Sequence, residues 1–127
     1  AFTPARMRSG VSLVVDATRL RELARGADLC ITGEGGIDAQ TRFGKTPFGV
    51  ARAVKETVPG CPVVALAGCV GQGCDELLGE GIDAIYGILP GPCTLAQAIG
   101  DATANLRRTA RSVAAMAAAC AGQKAGD

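Results

Sequence analysis

Four short apolar runs, separated by segments of helical periodicity, constrain what this chain can fold into. The runs are VSLVV, LCIT, PVVALA and AIYGIL, at 11–15, 29–32, 62–67 and 84–89. Each is short and apolar at consecutive positions, which is typical of strands buried on both faces of a parallel sheet. The pattern predicts an α/β fold in which a doubly wound parallel sheet carries helices on both faces.

Helices are predicted between and after these runs. Apolar residues recur at helical spacing over 16–25, and a helix over 46–58 begins at a threonine followed by proline. A short helix is expected over 75–79. The last helix is predicted over 94–121, starting with the capping-box pattern of a threonine and a glutamine three residues later.

The last helix carries an apolar stripe that is sustained over its whole length and is rich in small residues. Its small side chains fit close packing on a sheet, and a coiled-coil seam is the alternative interpretation. The stripe consists of Leu95, Ile99, Ala102, Leu106, Thr109, Val113, Met116 and Cys120.

The length of 127 residues predicts a single α/β domain over 1–127. We expect an irregular first segment over 1–10, the α/β core over 11–121 and a frayed tail over 122–127. Aromatic residues make up only 3% of the chain and tryptophan is absent, so the predicted core is aliphatic.

Composition excludes several classes of function. The chain has 13 basic and 12 acidic side chains and no basic block, which argues against nucleic acid or an anionic membrane as partner. It has no histidine, which excludes a Ser-His-Asp triad and any metal site that uses histidine. No apolar run reaches membrane-spanning length and no signal peptide is visible, so a cytoplasmic protein is predicted.

The six cysteines form no C-x-x-C pair, and most of them lie inside or beside apolar runs. Buried, reduced thiols are therefore favoured over a disulfide framework or a metal site. The cysteines are Cys30, Cys61, Cys69, Cys74, Cys93 and Cys120.

A glycine-rich stretch at 33–45 is predicted to form a loop at the sheet edge where ligands bind in such folds. The backbone amides of its glycines and the N-terminus of the next helix would favour an anion, and Lys45 can neutralise phosphate. Glu34 and Asp38 can hold Mg²⁺ or accept a proton from a substrate hydroxyl. The alternative interpretation is a plain strand-to-helix connection with acids facing solvent.

Two other glycine patterns are weaker signals of a phosphate site. Gly44-Lys45-Thr46 suggests a Walker A loop, but Ala39 stands where that motif requires glycine. The stretch 68–73 (GCVGQG) follows the predicted strand 62–67 and could cradle phosphate, although a simple turn is the favoured interpretation.

Several separated motifs resemble the bacterial glycerate kinase family, of the kind acting in glyoxylate and glucarate breakdown. The principal one is ADLCITGEGGIDAQT at 27–41, which is followed by GK at 44–45. Others are PVVALAG at 62–68, ILPGPCTL at 88–95 and NLRRTAR at 105–111. The resemblance extends over almost the whole chain, roughly from Ser9 to Ala121.

This resemblance implies an ATP-dependent kinase that transfers a phosphoryl group to a hydroxyl of D-glycerate with the help of Mg²⁺. Asp38 or Glu34 would be the base or metal ligand. Lys45 and the amides of Gly33 and Gly35 would hold phosphate or carboxylate charge. The substrate hydroxyls would be oriented by two further side chains, Gln40 and Thr41.

Two departures from the family pattern bear on the function of this chain. Gly36 stands where the family usually has a basic residue. The Asp-Ser-Phe-Lys-Gly type of motif that opens the longer family members has no counterpart here. The resemblance therefore implies the C-terminal portion of a two-domain enzyme, inactive alone and supplying one wall of the cleft, with artificial homo-oligomers possible through the exposed surface.

Two alternatives to a kinase portion remain open at this point. One is a non-catalytic α/β module that binds a phosphorylated metabolite or mediates assembly. The other is a truncated gene product or fragment with no independent role.

Overall fold

The computed structural model of the chain describes residues 9–40 and 46–126, with side chains as far as Gln123. Five helices, three strands and one 3₁₀ helix occur in these residues. They are α1 (Gly10–Ala17), α2 (Leu20–Leu23), β1 (Cys30–Ile37), α3 (Thr46–Thr57), β2 (Val63–Val70), the 3₁₀ helix Cys74–Leu77, β3 (Ala84–Gly87), α4 (Leu95–Gly100) and α5 (Ala102–Gly126).

The three strands form one parallel sheet in the order β1-β2-β3. Cys30 lies beside Val63 in the first pair of strands, and Val64 lies beside Ala84 in the second. The predicted parallel sheet is therefore confirmed, with three strands among the described residues where four were predicted.

Helices cover both faces of the sheet, as predicted. Side chains alternate along β2: Val63 and Ala65 belong to a core cluster on the α3 side, and Val64 and Leu66 to a smaller cluster on the α5 side. Burial on both faces explains why this segment is continuously apolar in the sequence. The most buried members of the larger cluster are Ile37, Ala51, Val54, Leu77 and Ile82.

The prediction of a strand over 11–15 is wrong, because these residues lie in helix α1. Ser9 caps the first turn through its side chain, which favours a helix at this point. Only Val15 of the run is buried, whereas Leu13 and Val14 are exposed, so the run has one buried side rather than two. The prediction failed because the β-branched residues of this run are typical of a buried strand.

Helix α1 packs against α3 at a position where α3 has no side chain. A Cβ atom at Gly49 would lie 1.8 Å from Val11 Cγ1, so only glycine permits this approach. The contact gives α1 a packing partner, and such tertiary packing outweighs the weak local preference of β-branched residues for strands.

Other element bounds also differ from the predictions. The predicted helix over 16–25 is divided between α1 and α2, because Arg19 adopts a left-handed conformation with φ of 55°. The short helix predicted over 75–79 is instead the 3₁₀ helix Cys74–Leu77, which begins one residue earlier and ends two residues earlier. Helix α3 begins where predicted, at Thr46.

Both strands that lead to the predicted ligand edge are longer than expected. β1 continues through three glycines to Ile37, and β2 continues to Val70, so much of the two predicted glycine loops is paired strand. Glu34 lies beside Ala67 and Gly36 beside Cys69 in this extension. Glycine adopts extended backbone readily, and the added ladder hydrogen bonds offset its entropic cost.

The predicted last helix is divided into α4 and α5 at Asp101. Its start is confirmed, since Thr94 and Gln97 form a complete capping box. α5 continues to Gly126, so the predicted frayed tail over 122–127 is helical as far as the structure describes it.

The apolar stripe of this region packs on the sheet only in its middle. Val113 is buried against the sheet and Ala110 packs beside it. Leu95, Ile99 and Met116 are exposed by 76%, 69% and 65%, so the prediction of packing on the sheet fails toward both ends.

The expectation of buried thiols is correct for Cys61 only. Cys30 and Cys74 are partly buried, and three other cysteines are exposed. Burial raises the pKa of the Cys30 and Cys61 thiols, which keeps both protonated and unreactive at neutral pH. The exposed cysteines are Cys69, Cys93 and Cys120. No helix in the described ranges is long and apolar enough to cross a membrane.

An ion pair fixes the amino end of the sheet. Lys55 Nζ donates to Asp83 Oδ2 at 2.7 Å and to the Cys61 carbonyl at 2.8 Å, and the Val63 backbone N–H donates to the same Asp83 oxygen at 2.7 Å. These bonds join the end of α3 to the starts of β2 and β3. Burial raises the pKa of Asp83, but the bonds from Lys55 and Val63 outweigh it and leave the pKa below its usual value.

We expect Asp83→Asn to lower the free energy of unfolding by about 1–2 kcal/mol at pH 7, a discounted value because the carboxylate is half exposed. Because the native-state pKa of Asp83 is lowered, its carboxylate stabilises the fold fully above the unfolded-state pKa, about 4, and this contribution is lost as the pH falls from there through the native-state pKa. The difference between wild type and variant should therefore shrink below about pH 4.

Urea unfolding followed by circular dichroism at pH 7 and at lower pH measures both effects. Glu56→Gln is a matched control, because Glu56 forms an exposed ion pair with Arg21 at 3.0 Å. Its effect should stay within about 0.5 kcal/mol. Equal losses for the two variants, or a loss at Asp83 that does not change with pH, would contradict the assignment.

Candidate functional site

The carboxyl ends of the three parallel strands meet at one edge of the sheet, where ligands bind in open α/β folds. A polar cavity of about 450 Å³ opens there beside the ends of β1 and β2. It is lined by Glu34, Gly36, Ile37, Asp38, Cys69 and Gly71. The edge predicted from the order of the elements thus carries a cavity.

Two carboxylates predicted as candidate catalytic residues, Glu34 and Asp38, both line this polar cavity. Glu34 is half-buried on β1, and its Oε1 accepts the Gly35 backbone N–H at 3.1 Å. Asp38 is exposed just after β1, and its Oδ1 accepts the Gln40 backbone N–H at 2.8 Å. Asp38 therefore also shapes its own turn, a structural role that the sequence did not reveal.

The second glycine stretch packs directly on the first. A Cβ atom at Gly71 would lie 2.9 Å from Asp38 Cβ, and one at Gly73 would lie 2.9 Å from Ala39 Cβ. The Gly71 backbone N–H donates to the Ile37 carbonyl at 2.7 Å. These glycines allow the close approach that fixes Asp38. The favoured interpretation of 68–73 as a turn applies only to 71–73, because 68–70 belong to β2.

The other predicted site residues are distributed as follows. Gly33 and Gly35 lie within β1 rather than in a loop, and the Gly35 N–H is already bonded to Glu34. Gln40 is exposed near the end of the described segment. Thr41 and Lys45 lie outside the described residues, as does the rest of the connection to α3.

A larger apolar cavity of about 690 Å³ adjoins the polar one and shares Glu34 and Cys69 with it. It lies between the carboxyl end of the sheet and helices α4 and α5. Its helical wall includes Leu95, Ile99 and Leu106, which were predicted to pack on the sheet rather than to line a site. The helical spacing showed that these residues share one face, but it did not show that this face would line a cavity.

Among the described residues that line the polar cavity, the charged side chains are the carboxylates of Glu34 and Asp38. In the ranges 9–40 and 46–126, no group of three His, Cys, Asp or Glu side chains is arranged to hold a metal ion. Two carboxylates on one cavity do suit Mg²⁺, which proteins usually bind through one or two carboxylates together with substrate phosphates. The residues present therefore fit a magnesium ion that arrives with a phosphorylated substrate.

Comparisons with known proteins agree on one family. The sequence model of the glycerate kinase family matches residues 1–118. A glycerate kinase of Halalkalibacterium halodurans is 45% identical over 114 residues, which are 90% of this chain and 30% of that protein. A glycerate 2-kinase of Escherichia coli K12 is 37% identical over 115 residues, which are 91% of this chain and 30% of that protein.

A solved structure is similar as well. The crystal structure of a protein of Salmonella typhimurium LT2, provisionally assigned as glycerate kinase 2, superposes with a TM-score of 0.65 and 42% identity. The match covers 98% of this chain and 30% of that one. The chain thus spans about 30% of the length of the relatives it matches. Because the family model matches nearly the whole sequence, the chain belongs to the glycerate kinase family.

Proposed function

We propose that this chain forms one wall of the active site of an ATP-dependent glycerate kinase. The enzyme would transfer the γ-phosphoryl group of ATP to a hydroxyl of D-glycerate and release phosphoglycerate and ADP. The observation that carries the proposal is that Glu34 and Asp38, in a member of this family, line one polar cavity at the carboxyl ends of the strands. The resemblance also supports a cytoplasmic enzyme of glyoxylate metabolism.

The two carboxylates would divide two tasks of phosphoryl transfer. The glycerate oxygen attacks the γ-phosphorus, the bond from that phosphorus to the bridging oxygen of ADP breaks, and the hydroxyl proton passes to a carboxylate. Asp38, exposed at the turn after β1, and Glu34, half-buried beside it, are the acceptors available in the polar cavity. Whichever does not take the proton would hold Mg²⁺, which neutralises phosphate charge.

Further residues would position the substrates. α3 begins at Thr46 and directs the positive end of its dipole toward the connection from β1. The resemblance supports Lys45, Gly33 and Gly35 as holders of phosphate or carboxylate charge. It also supports Gln40 and Thr41 as partners of the substrate hydroxyls.

Activity should require the rest of the family's length, because the resemblance implies a cleft between two domains. We expect the 127-residue chain alone to form no phosphoglycerate. A chimera in which this chain replaces the matching segment of a curated glycerate kinase should form it. Product is measured by coupling ADP release and by identifying phosphoglycerate directly.

The matched control is the same relative with its segment deleted. Turnover by the chain alone would contradict the proposal that it supplies a single wall. A folded chimera that does not phosphorylate glycerate would contradict the kinase function and favour a non-catalytic module, which calorimetry with a phosphorylated metabolite would then test.

A further inference from the structure

The apolar cavity between the sheet and helices α4 and α5 has no role in the chemistry described above. We propose that it binds the adenine base of the nucleotide whose phosphates lie at Glu34 and Asp38. This inference rests on the proposed function and deepens it, because it assigns the adenine base to the apolar cavity and leaves the polar cavity to the phosphates and the acceptor substrate.

The cavity lies beside a part of β1 that presents two glycines, Gly33 and Gly35, on the α5 side. Gly33 pairs with Leu66, which belongs to the core cluster on the α5 side, and side chains alternate along a strand, so Gly35 shares that face. A Cβ atom at Gly35 would have no neighbour within 4 Å, and one at Gly33 would lie 3.3 Å from the Leu66 carbonyl oxygen. The strand therefore offers a flat backbone surface to a planar group.

The lining favours a base over glycerate. Among the described residues that line the cavity, Glu34 alone carries a charge, and it repels an acid. Glycerate has a carboxylate and two hydroxyls, which apolar walls cannot satisfy. A purine has two apolar faces and a polar edge, and Thr94, Thr103 and the strand backbone offer hydrogen-bonding groups for that edge.

Size and position agree with this assignment. The volume of about 690 Å³ lies within the range of small-molecule sites. The wall shared with the polar cavity, formed by Glu34 and Cys69, lets one nucleotide extend across both. The polar cavity would then hold phosphates and Mg²⁺ beside the two carboxylates.

Adenosine tests the inference because it has the base but no phosphate. In the methyl-labelled 127-residue chain, adenosine should shift the NMR signals of Leu66, Ile88 and Ile99, with a dissociation constant of about 1 mM or below. D-glycerate should leave these methyl signals unchanged. The core methyls of Val54, on the α3 side, should not respond to adenosine.

Adenosine binding by two variants tests whether the cavity is the binding site. Gly35→Leu fills open space and should weaken adenosine binding by about tenfold or more. Ile99→Ser removes part of an exposed wall at little cost to folding and should weaken binding by about threefold. Gly122→Leu is the control, because it lies about 24 Å along α5 from Leu106 and has space for a side chain. It should bind as the wild type does.

The outcomes separate this inference from the kinase function. Absence of shifts up to about 10 mM adenosine, or unchanged affinity in both variants, would overturn the base assignment. Glycerate phosphorylation by the chimera, with no adenosine shifts at these methyls in either protein, would overturn the base assignment alone. Shifts that occur in the chain but are lost in an active chimera would also overturn it, and would indicate that polypeptide of the longer enzyme fills the cavity. Adenosine shifts without phosphorylation would support the base site and overturn the kinase function.

Discussion

Asp38→Asn is expected to lower kcat by about 10²- to 10⁴-fold in the chimera described above, whether Asp38 accepts the proton or holds the metal. An amide keeps the shape of the carboxylate and can still accept the Gln40 backbone N–H, so the turn after β1 should persist. The variant then loses only negative charge and basicity at the polar cavity. Steady-state phosphoglycerate formation at saturating ATP and glycerate measures the loss.

Asp75→Asn provides the control for this prediction. Asp75 is an exposed acid in the first turn of the 3₁₀ helix and does not line the polar cavity. Its kcat should stay within about twofold of wild type, because surface substitutions rarely disturb a fold. Near-normal turnover of Asp38→Asn would remove Asp38 from the chemistry and leave Glu34 as the remaining acidic candidate.

Leu77→Ala should lower the free energy of unfolding by about 3 kcal/mol, the largest stability effect that we expect. Leu77 is 0% exposed and packs in the core cluster on the α3 side. Truncation removes apolar contacts and leaves a cavity into which the surrounding core relaxes only partly. A domain of this size has only about 5–15 kcal/mol in total, so the midpoint of urea unfolding should fall clearly.

Leu78→Ala is the matched control, since the next leucine in the chain is 47% exposed. Its cost should stay below about 1 kcal/mol, because Leu78 remains half exposed in the folded chain and its truncation leaves no enclosed cavity. Similar losses for the two leucines would show that the 3₁₀ helix does not pack as the structure describes.

The sequence predicted most where a local signal and burial agree. Helix α3 begins at Thr46-Pro47 in the structure, as the sequence predicted. Thr94 and Gln97 form the predicted capping box. The continuous apolar run over 62–67 predicted a strand buried on two faces, which β2 confirms. In each case neighbouring residues determine the structure that they adopt.

Prediction failed where a distant contact decides the structure. The run 11–15 has the residues of a strand, but α1 is held by Val11 packing at Gly49, 38 positions later in the chain. The glycines of β1 have the residues of a loop, but pairing with β2 keeps them extended as far as Ile37. Such pairings are not encoded in the local pattern.

The candidate site was likewise predictable in part. The predicted order of the elements pointed to the edge of the sheet where a polar cavity opens, and the candidate acids Glu34 and Asp38 line that cavity. The helical wall formed by Leu95, Ile99 and Leu106 was missed, because an apolar stripe does not show which of its members reach the sheet. The side-chain roles at the site stay predictions.

The contact between Gly71 and Asp38 makes the position of an acidic group depend on strand register. Gly36 lies beside Cys69 and Ile37 beside Val70, and this pairing places a residue without a side chain against Asp38. If β1 slipped by one residue along β2, each of its side chains would move to the opposite face of the sheet. Val70 or Gln72 would then stand at the contact with Asp38. An insertion or deletion within β1 would therefore abolish the acidic site while leaving both carboxylates in the sequence.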